Sequence, residues 1–354
     1  MVEYSGVARA VLAGVLSGCL AGAAWAQESS PWTTLVDARL RAEVTEVPGR
    51  DDIERLRARL RLGVEYLASD RIEFGGAVEA SLGSDHNRDN RRNLDNERSD
   101  QILLDKLWMR WYGTPDWVLT LGKDELPLTL SPMLWDEDLR PIGVSSDAHF
   151  AVGDFDGVTV IVGYFAPDFL YEDEARLGAL QLGYHFREGA PWSASAMLSY
   201  LHFDELDELV REGLARTNRV ANGRLVSDYE LLGLQLVGRA EWADLPWQLS
   251  IDLSQNLGAR DQDEAGRISL VVGDRHQPGQ WEFGLAAQRM QRDAVLAAAS
   301  DDDWWFHSFA RGVMPWVGYG FNEHLNLRLA AFDERRDGAN DSVSRYLFDL
   351  QARW

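Results

Sequence analysis

The sequence predicts an all-β chain, a transmembrane antiparallel β-barrel of about 16 strands with short periplasmic turns and long extracellular loops. Three observations predict it. Segment after segment alternates apolar and polar residues, the connections alternate between short and long, and tryptophans gather beside the short ones.

At the N-terminus, Arg9 precedes the apolar stretch AVLAGVLSGCLAGAA, and Ala24-Trp25-Ala26 supplies a small-residue cleavage pattern ahead of Gln27. Residues 1–26 therefore read as a cleaved signal peptide and 27–354 as one exported barrel domain. The run Leu16 to Cys19 also fits a lipoprotein-type site with Cys19 lipidated, and both routes stay open. Cleavage after Ala26 would remove the single cysteine, leaving no disulfide, thiol chemistry or Cys-ligated metal.

The strands follow in order. In VDARLRAEV, Ala38, Leu40, Ala42 and Val44 oppose Asp37, Arg39, Arg41 and Glu43. In ERLRARLRLGVEYL, Leu56, Ala58, Leu60, Leu62, Val64 and Tyr66 oppose Arg55, Arg57, Arg59, Arg61 and Glu65. As a helix the second segment would place arginine on every side; as a strand it has one apolar and one basic face. Similar alternation recurs along the chain to the last segment, SRYLFDLQARW. There Tyr346, Phe348, Leu350, Ala352 and Trp354 share a face opposite Arg345, Leu347, Asp349, Gln351 and Arg353.

Between these segments, brief turns near 69–70, 114–115, 155–156, 188–191, 243–245, 276–279 and 322–324 alternate with long polar loops. The long loops are 47–54, 83–100, 124–146, 167–175, 204–227, 292–308 and 335–342, with a shorter one near 258–263. A closed barrel sorts its loops this way, tight on one rim and long on the other, whereas a sandwich has no reason to. Trp117, Trp192, Trp242, Trp247, Trp281 and Trp354 lie beside short turns or at the C-terminus, as an aromatic girdle at one interface requires. Leu206, Leu209, Val210 and Leu214 predict a short amphipathic helix on loop 204–227, and 292–300 is a weaker helical candidate.

The net charge of −22 argues against a nucleic-acid partner. The seven histidines (His86, His149, His185, His202, His276, His307, His324) show no metal-protease spacing, and no nucleophile elbow or phosphate-binding glycine loop is present. No enzymatic activity, metal or cofactor is expected on these grounds. Asp85, Asn87 and Asp89 imitate the start of a calcium loop, but Asn90 stands where the required glycine would be.

An exported, even-stranded barrel ending on an aromatic residue resembles the Gram-negative outer-membrane proteins. The stretch LTLGKDELPLTLSPMLWDEDLRPIGVS resembles one bacterial outer-membrane porin family, of general-porin-like barrels, more narrowly. That family has a strand ending in a glycine and a basic residue, here Gly122 and Lys123, then a proline, here Pro127. A run follows that Trp135, Asp136, Asp138, Leu139, Pro141 and Gly143 match. The segment KDELPLT departs from the family's usual run of small and aromatic residues after the proline.

The resemblance implies the outer membrane as location, its lipid and assembly machinery as partners, small hydrophilic solutes as cargo, and allows a homo-trimer. It gives Trp354 an assembly-signal role. It also implies that loop 124–146 folds into the lumen, making Trp135, Asp136, Glu137, Asp138 and Arg140 constriction-loop candidates. The opposing wall is expected from the lumen-facing Arg39, Arg41, Arg55, Arg57, Arg59, Arg61, Arg345 and Arg353, neighbours once the barrel closes. Charges facing each other across a narrow gap orient dipolar solutes and tune ion selectivity. The same charges could instead pair and stiffen the wall. Three functions follow: passive diffusion of small hydrophilic solutes, export or uptake of an anionic polysaccharide or oligosaccharide along the arginines, or a plugged barrel serving as adhesin or anchor.

Overall fold

The computed structural model describes residues 30–84, 99–153, 155–167 and 174–354. The signal peptide, Cys19 and the calcium-like run at 85–90 lie outside the described residues.

Sixteen strands close into one antiparallel barrel. In chain order they begin with β1 (Trp32–Glu46), β2 (Ile53–Ser69), β3 (Ile72–Gly83), β4 (Gln101–Thr114) and β5 (Trp117–Lys123). Next come β6 (Ile142–Val152), β7 (Asp156–Ala166), β8 (Arg176–Phe186) and β9 (Trp192–Asp204). A five-residue helix, α1 (Asp207–Arg211), and a small hairpin, β10 (Val220–Ala221) with β11 (Arg224–Leu225), occupy the following loop outside the barrel sheet. The wall resumes with β12 (Tyr229–Trp242), β13 (Leu245–Asn256), β14 (Glu264–Gly273) and β15 (Trp281–Met290). It ends with β16 (Ala310–Gly320), β17 (Leu325–Arg336) and β18 (Ser342–Arg353).

Each barrel strand pairs with its sequence neighbours, and β1 pairs with β18 to seal the wall. The C-terminal residue takes part in that seal. Val36 N donates to the Trp354 carbonyl at 2.9 Å and Trp354 N donates to the Val36 carbonyl at 2.9 Å. The two-faced final segment is therefore the closing stave, with Arg41 opposite Asp349 and Thr45 opposite Arg345. A closed sheet leaves no strand edge with unpaired backbone, the condition for a β-structure in lipid.

Period-two alternation becomes an outside and an inside. Leu56, Leu62, Leu198, Leu249, Leu285 and Phe348 are exposed on the outer surface, while their sequence neighbours Arg55, Arg57, Ser199, Ser250, Ala286 and Leu347 are buried within. Around the short-turn end, Trp117, Trp192, Trp242 and Trp281 are exposed on the wall. They group with Trp111, Phe186, Trp247 and Tyr319 at centroid distances of 4.8–5.4 Å. Trp32 and Tyr66, 4.4 Å apart, extend the belt beyond the tryptophans anticipated from turns.

The structure corrects the reading of 292–308. This segment is no polar outer loop, for Ala294 to Ala299 and Trp304 to Ser308 are buried. It forms turns and no α-helix over 292–300. The apolar run AVLAAA and the aromatic run WWF have a core to enter because the chain dives into the barrel.

Candidate functional site in the lumen

Two loops fold inward and meet. The first spans 124–141, since β6 already starts at Ile142. It leaves the wall at Gly122, whose φ of +124° suits glycine and where a β-carbon would stand 2.2 Å from the Leu107 carbonyl oxygen. The second spans 291–309, between β15 and β16. Asp136 N donates to the Ala299 carbonyl at 2.7 Å and Asp301 N to the Pro132 carbonyl at 3.0 Å, so backbone joins backbone across the lumen. Around this junction Met133, Leu134, Trp135 and Leu139 pack with Val295, Leu296, Ala298 and Ala299. The same apolar cluster takes in Leu209 of α1 and wall residues Phe165, Leu177, Leu201 and Leu231. The expected helix on loop 204–227 thus exists, and its Leu209 is fully buried against the junction.

A third segment braces the second. The buried Asp293 carboxylate accepts Arg219 N at 2.9 Å, Arg219 Nε at 2.6 Å and the Ser227 hydroxyl at 2.8 Å. Asn218 donates from Nδ2 to the Arg292 and Val295 carbonyls at 2.8 and 2.9 Å, and its Oδ1 accepts Ala297 N at 2.8 Å. Buried amide and carboxylate groups satisfied this fully fix a loop in one geometry.

The arginine ladder holds both loops. Cross-strand register sets Arg39 opposite Arg59, Arg41 opposite Arg57 and Glu43 opposite Arg55 on the inner face of β1 and β2. Asp138 of the first loop accepts Arg59 Nη1 at 2.6 Å and Arg61 Nη2 at 3.0 Å, with Arg39 Nη1 at 3.7 Å. Asp303 of the second loop accepts Arg41 Nη1 at 2.5 Å, and Arg41 Nε reaches Asp349 at 2.6 Å. Arg345 donates to the Asp302 and Asp303 carbonyls at 2.6 and 2.9 Å and to Glu43 at 2.9 Å. Glu43 also pairs with Arg55. Arg353, at the short-turn rim, pairs with Asp37 at 2.7 Å and takes no part in holding the loops. Here the anticipated arrangement changes: Asp138 does not face the arginines across a gap but is bonded to them. At short range the Coulomb attraction exceeds any benefit of separation, provided both partners keep their hydrogen bonds.

The remaining loop candidates divide. Trp135 is buried in the apolar cluster. Asp136 lies beneath it, its Oδ1 accepting Asp138 N at 2.9 Å. Glu137 is exposed, and its carbonyl accepts a bond from Arg140. Arg140 is buried and stands 3.3 Å from Asp105, a residue sequence reading did not single out. A register shift between β3 and β4 leaves Asp105 without a cross-strand partner and turns it into the lumen. A bulge has no period-two signature, so Asp105 was not legible.

Sequence reading also missed the acids of the second loop. Asp136, Asp301 and Asp302 bring carboxylate oxygens within 4.8 Å of one another at the junction. Burial first, then Asp302, Asp138 and Asp301, pushes the Asp136 carboxyl well above the usual range. Burial and Asp303 push Asp301 up to about 8. Burial acts upward on Asp138 too, but Arg59, Arg39, Arg61 and Arg140 outweigh it and hold that carboxyl well below its ordinary value. Asp303 is lowered in the same way, by Arg41, Arg328 and Arg345 against burial. Each loop therefore carries one carboxylate kept ionised by the wall and one carboxyl kept protonated at the junction.

No protein-family model matches the chain, and no curated protein matches it significantly in sequence. Solved structures do match in fold. OprB of Pseudomonas putida at high pH superposes with a TM-score of 0.60 and 13% identity, covering 92% of this chain and 94% of that one. OmpF of Salmonella typhi in complex with daunomycin gives 0.55 and 10%, covering 91% and 97%. A triple mutant of the Rhodopseudomonas blastica porin gives 0.52 and 8%, covering 91% and 100%. Sealed by its final strand and narrowed by loops on an arginine wall, the chain has the fold of the bacterial outer-membrane porins.

Proposed function

We propose that the protein is an outer-membrane channel for small hydrophilic solutes, its lumen narrowed by two docked loops. The observation that carries this reading is the clamp itself: Asp138 and Asp303 bound to Arg59, Arg61 and Arg41 at 2.5–3.0 Å inside a closed barrel with an apolar exterior. Such a lumen keeps polar side chains toward water on β4, β17 and β18, where Arg110, Tyr112, Arg328 and Gln351 remain partly exposed. The same geometry weakens the polymer reading, because the loop carboxylates already occupy arginines that an anionic polysaccharide would track.

The apolar junction between the loops favours a second reading, the plugged barrel. Purified protein in planar bilayers separates the two. Discrete, stable current steps support the channel. Absence of current from protein shown to be folded by heat-modifiable gel mobility overturns the channel and leaves the plug.

A further inference from the structure

On the outward face of the wall, one level of the barrel carries three arginines side by side. Arg289 of β15 stands opposite Arg311 of β16, and Arg311 stands opposite Arg335 of β17. Each shares its strand face with an exposed apolar residue, Leu285, Val313 and Leu329 in turn, so all three point away from the lumen. Arg289 lies eight residues beyond Trp281 of the short-turn aromatic belt. That is about 27 Å along the strand, or about 20 Å along the membrane normal at the usual strand tilt. The row therefore stands near the far edge of an apolar band roughly 25 Å tall, at headgroup depth on the long-loop side.

Like charges directly opposite one another on a sheet repel, so the row needs an anion. The chain supplies only part of that charge. Asp337 accepts a bond from Arg289 at 3.0 Å, and Asp333 stands 4.0 Å from Arg335. Among the described residues no carboxylate pairs with Arg311, which is exposed between the two. Below the row, Pro315 has no N–H for the ladder, and the pairing of β16 with β17 skips from Val313–Asp333 to Trp316–Ala330. Beside it the small Ala331 and Ala42 lie next to the larger Tyr346, Leu329 and Leu56. The result is an open apolar groove of about 860 Å³ on the outer wall. Glu54 of β2 also lines it and faces outward, three strands away from Arg335.

We propose that this patch binds an anionic lipid, its headgroup phosphate on Arg311 between Arg289 and Arg335 and one acyl chain in the groove. Guanidinium forks match phosphate oxygens with pairs of parallel hydrogen bonds and keep their charge throughout the physiological range. A phosphate on the row relieves the repulsion that the two aspartates leave uncompensated. Pro315 lies four residues from Arg311 on the same face of β16, about 13 Å along the strand, so the groove runs where the upper part of an acyl chain would lie. Charge also selects this occupant over a second copy of the chain, because a two-fold contact through the patch sets the same arginines against each other. The inference rests on placement of the barrel in a membrane and not on conduction.

The test uses the full mature barrel in a neutral detergent, each variant first shown folded by gel mobility. Native mass spectrometry counts retained phosphatidic acid and phosphatidylcholine of the same chain length, and reads the oligomer mass. One phosphatidic acid per chain, held in preference to phosphatidylcholine, is expected. A basic residue at an anionic lipid surface is worth roughly fivefold in affinity. Arg311→Gln should therefore weaken retention roughly fivefold, and the triple variant Arg289→Gln/Arg311→Gln/Arg335→Gln roughly a hundredfold. Ala331→Leu keeps every charge but fills the groove, and is expected to weaken retention too. Retention unchanged in the triple variant overturns the proposal, as does equal retention of phosphatidylcholine. Displacement of the lipid by inorganic phosphate at equal concentration overturns it as well, as does wild type that assembles into oligomers and holds no lipid. Wild type that retains the lipid but passes no current would refute the channel while leaving the lipid site intact.

Discussion

Replacing Asp138 by Asn is the sharpest perturbation the lumen offers. The change keeps the side chain's shape and removes the charge that Arg59, Arg61 and Arg39 share at 2.6, 3.0 and 3.7 Å. Removing one member of a buried ion pair costs about 3–5 kcal/mol, because the partners keep their desolvation without their compensation. Asp138 is 21% exposed, which places the loss near the lower end, about 3 kcal/mol. That is roughly a hundredfold in the balance between a docked and a released first loop. It leaves the barrel sheet intact. Single-channel recording under a salt gradient should show more current noise from loop release and a reversal potential shifted toward anions by the uncompensated arginines. Because the folded-state pKa of Asp138 is depressed, its contribution is fully present above about pH 4 and is lost only as pH falls through the lower folded value. Wild-type noise should accordingly show no rise as pH falls from neutral to about pH 4. An Asp138→Asn channel with unchanged selectivity and noise would refute the clamp as the element that shapes the lumen.

Other perturbations follow from the same contacts. Asp301 is raised to about 8, so the unfolded chain gives up this proton near pH 4 while the folded junction retains it. The junction should therefore weaken progressively between those values, and Asp301→Asn should flatten thermal stability measured across that range. Trp304 is buried edge-on to Phe332 at 5.2 Å and packs with Leu347, so Trp304→Ala should cost about 3–5 kcal/mol and lower the temperature of the gel-mobility transition. Asp293→Ala strands Arg219 and Ser227 and should make loop 205–228 more sensitive to limited proteolysis, with the sheet unaffected in circular dichroism.

The wall was legible because its signal is local. In β2, Arg55 to Arg61 at every second position can satisfy both lipid and water only as a strand, and the cross-strand register follows once neighbouring strands share that pattern. The interior was legible only in part. Asp138 stood out through its motif, but its partners Arg39, Arg59 and Arg61 lie on β1 and β2, far back along the chain, and no local pattern pairs them with it. The second loop had a visible sign, the apolar run from Ala294 to Ala299 followed by Trp304, Trp305 and Phe306, which no water-facing loop would carry. Its parity among the long connections concealed it, because sorting loops by length says which rim they leave and nothing of whether they return inside. Leu347 is the instructive residue. It breaks the polar face of an otherwise regular closing strand, and a barrel filled only with water would give it no partner. Buried against Trp304, Met314 and Phe332, it is the wall's half of a contact with the second loop. A single apolar residue out of phase on a lumen face is thus a sign, carried by the alternation pattern itself, that another segment folds back to meet it.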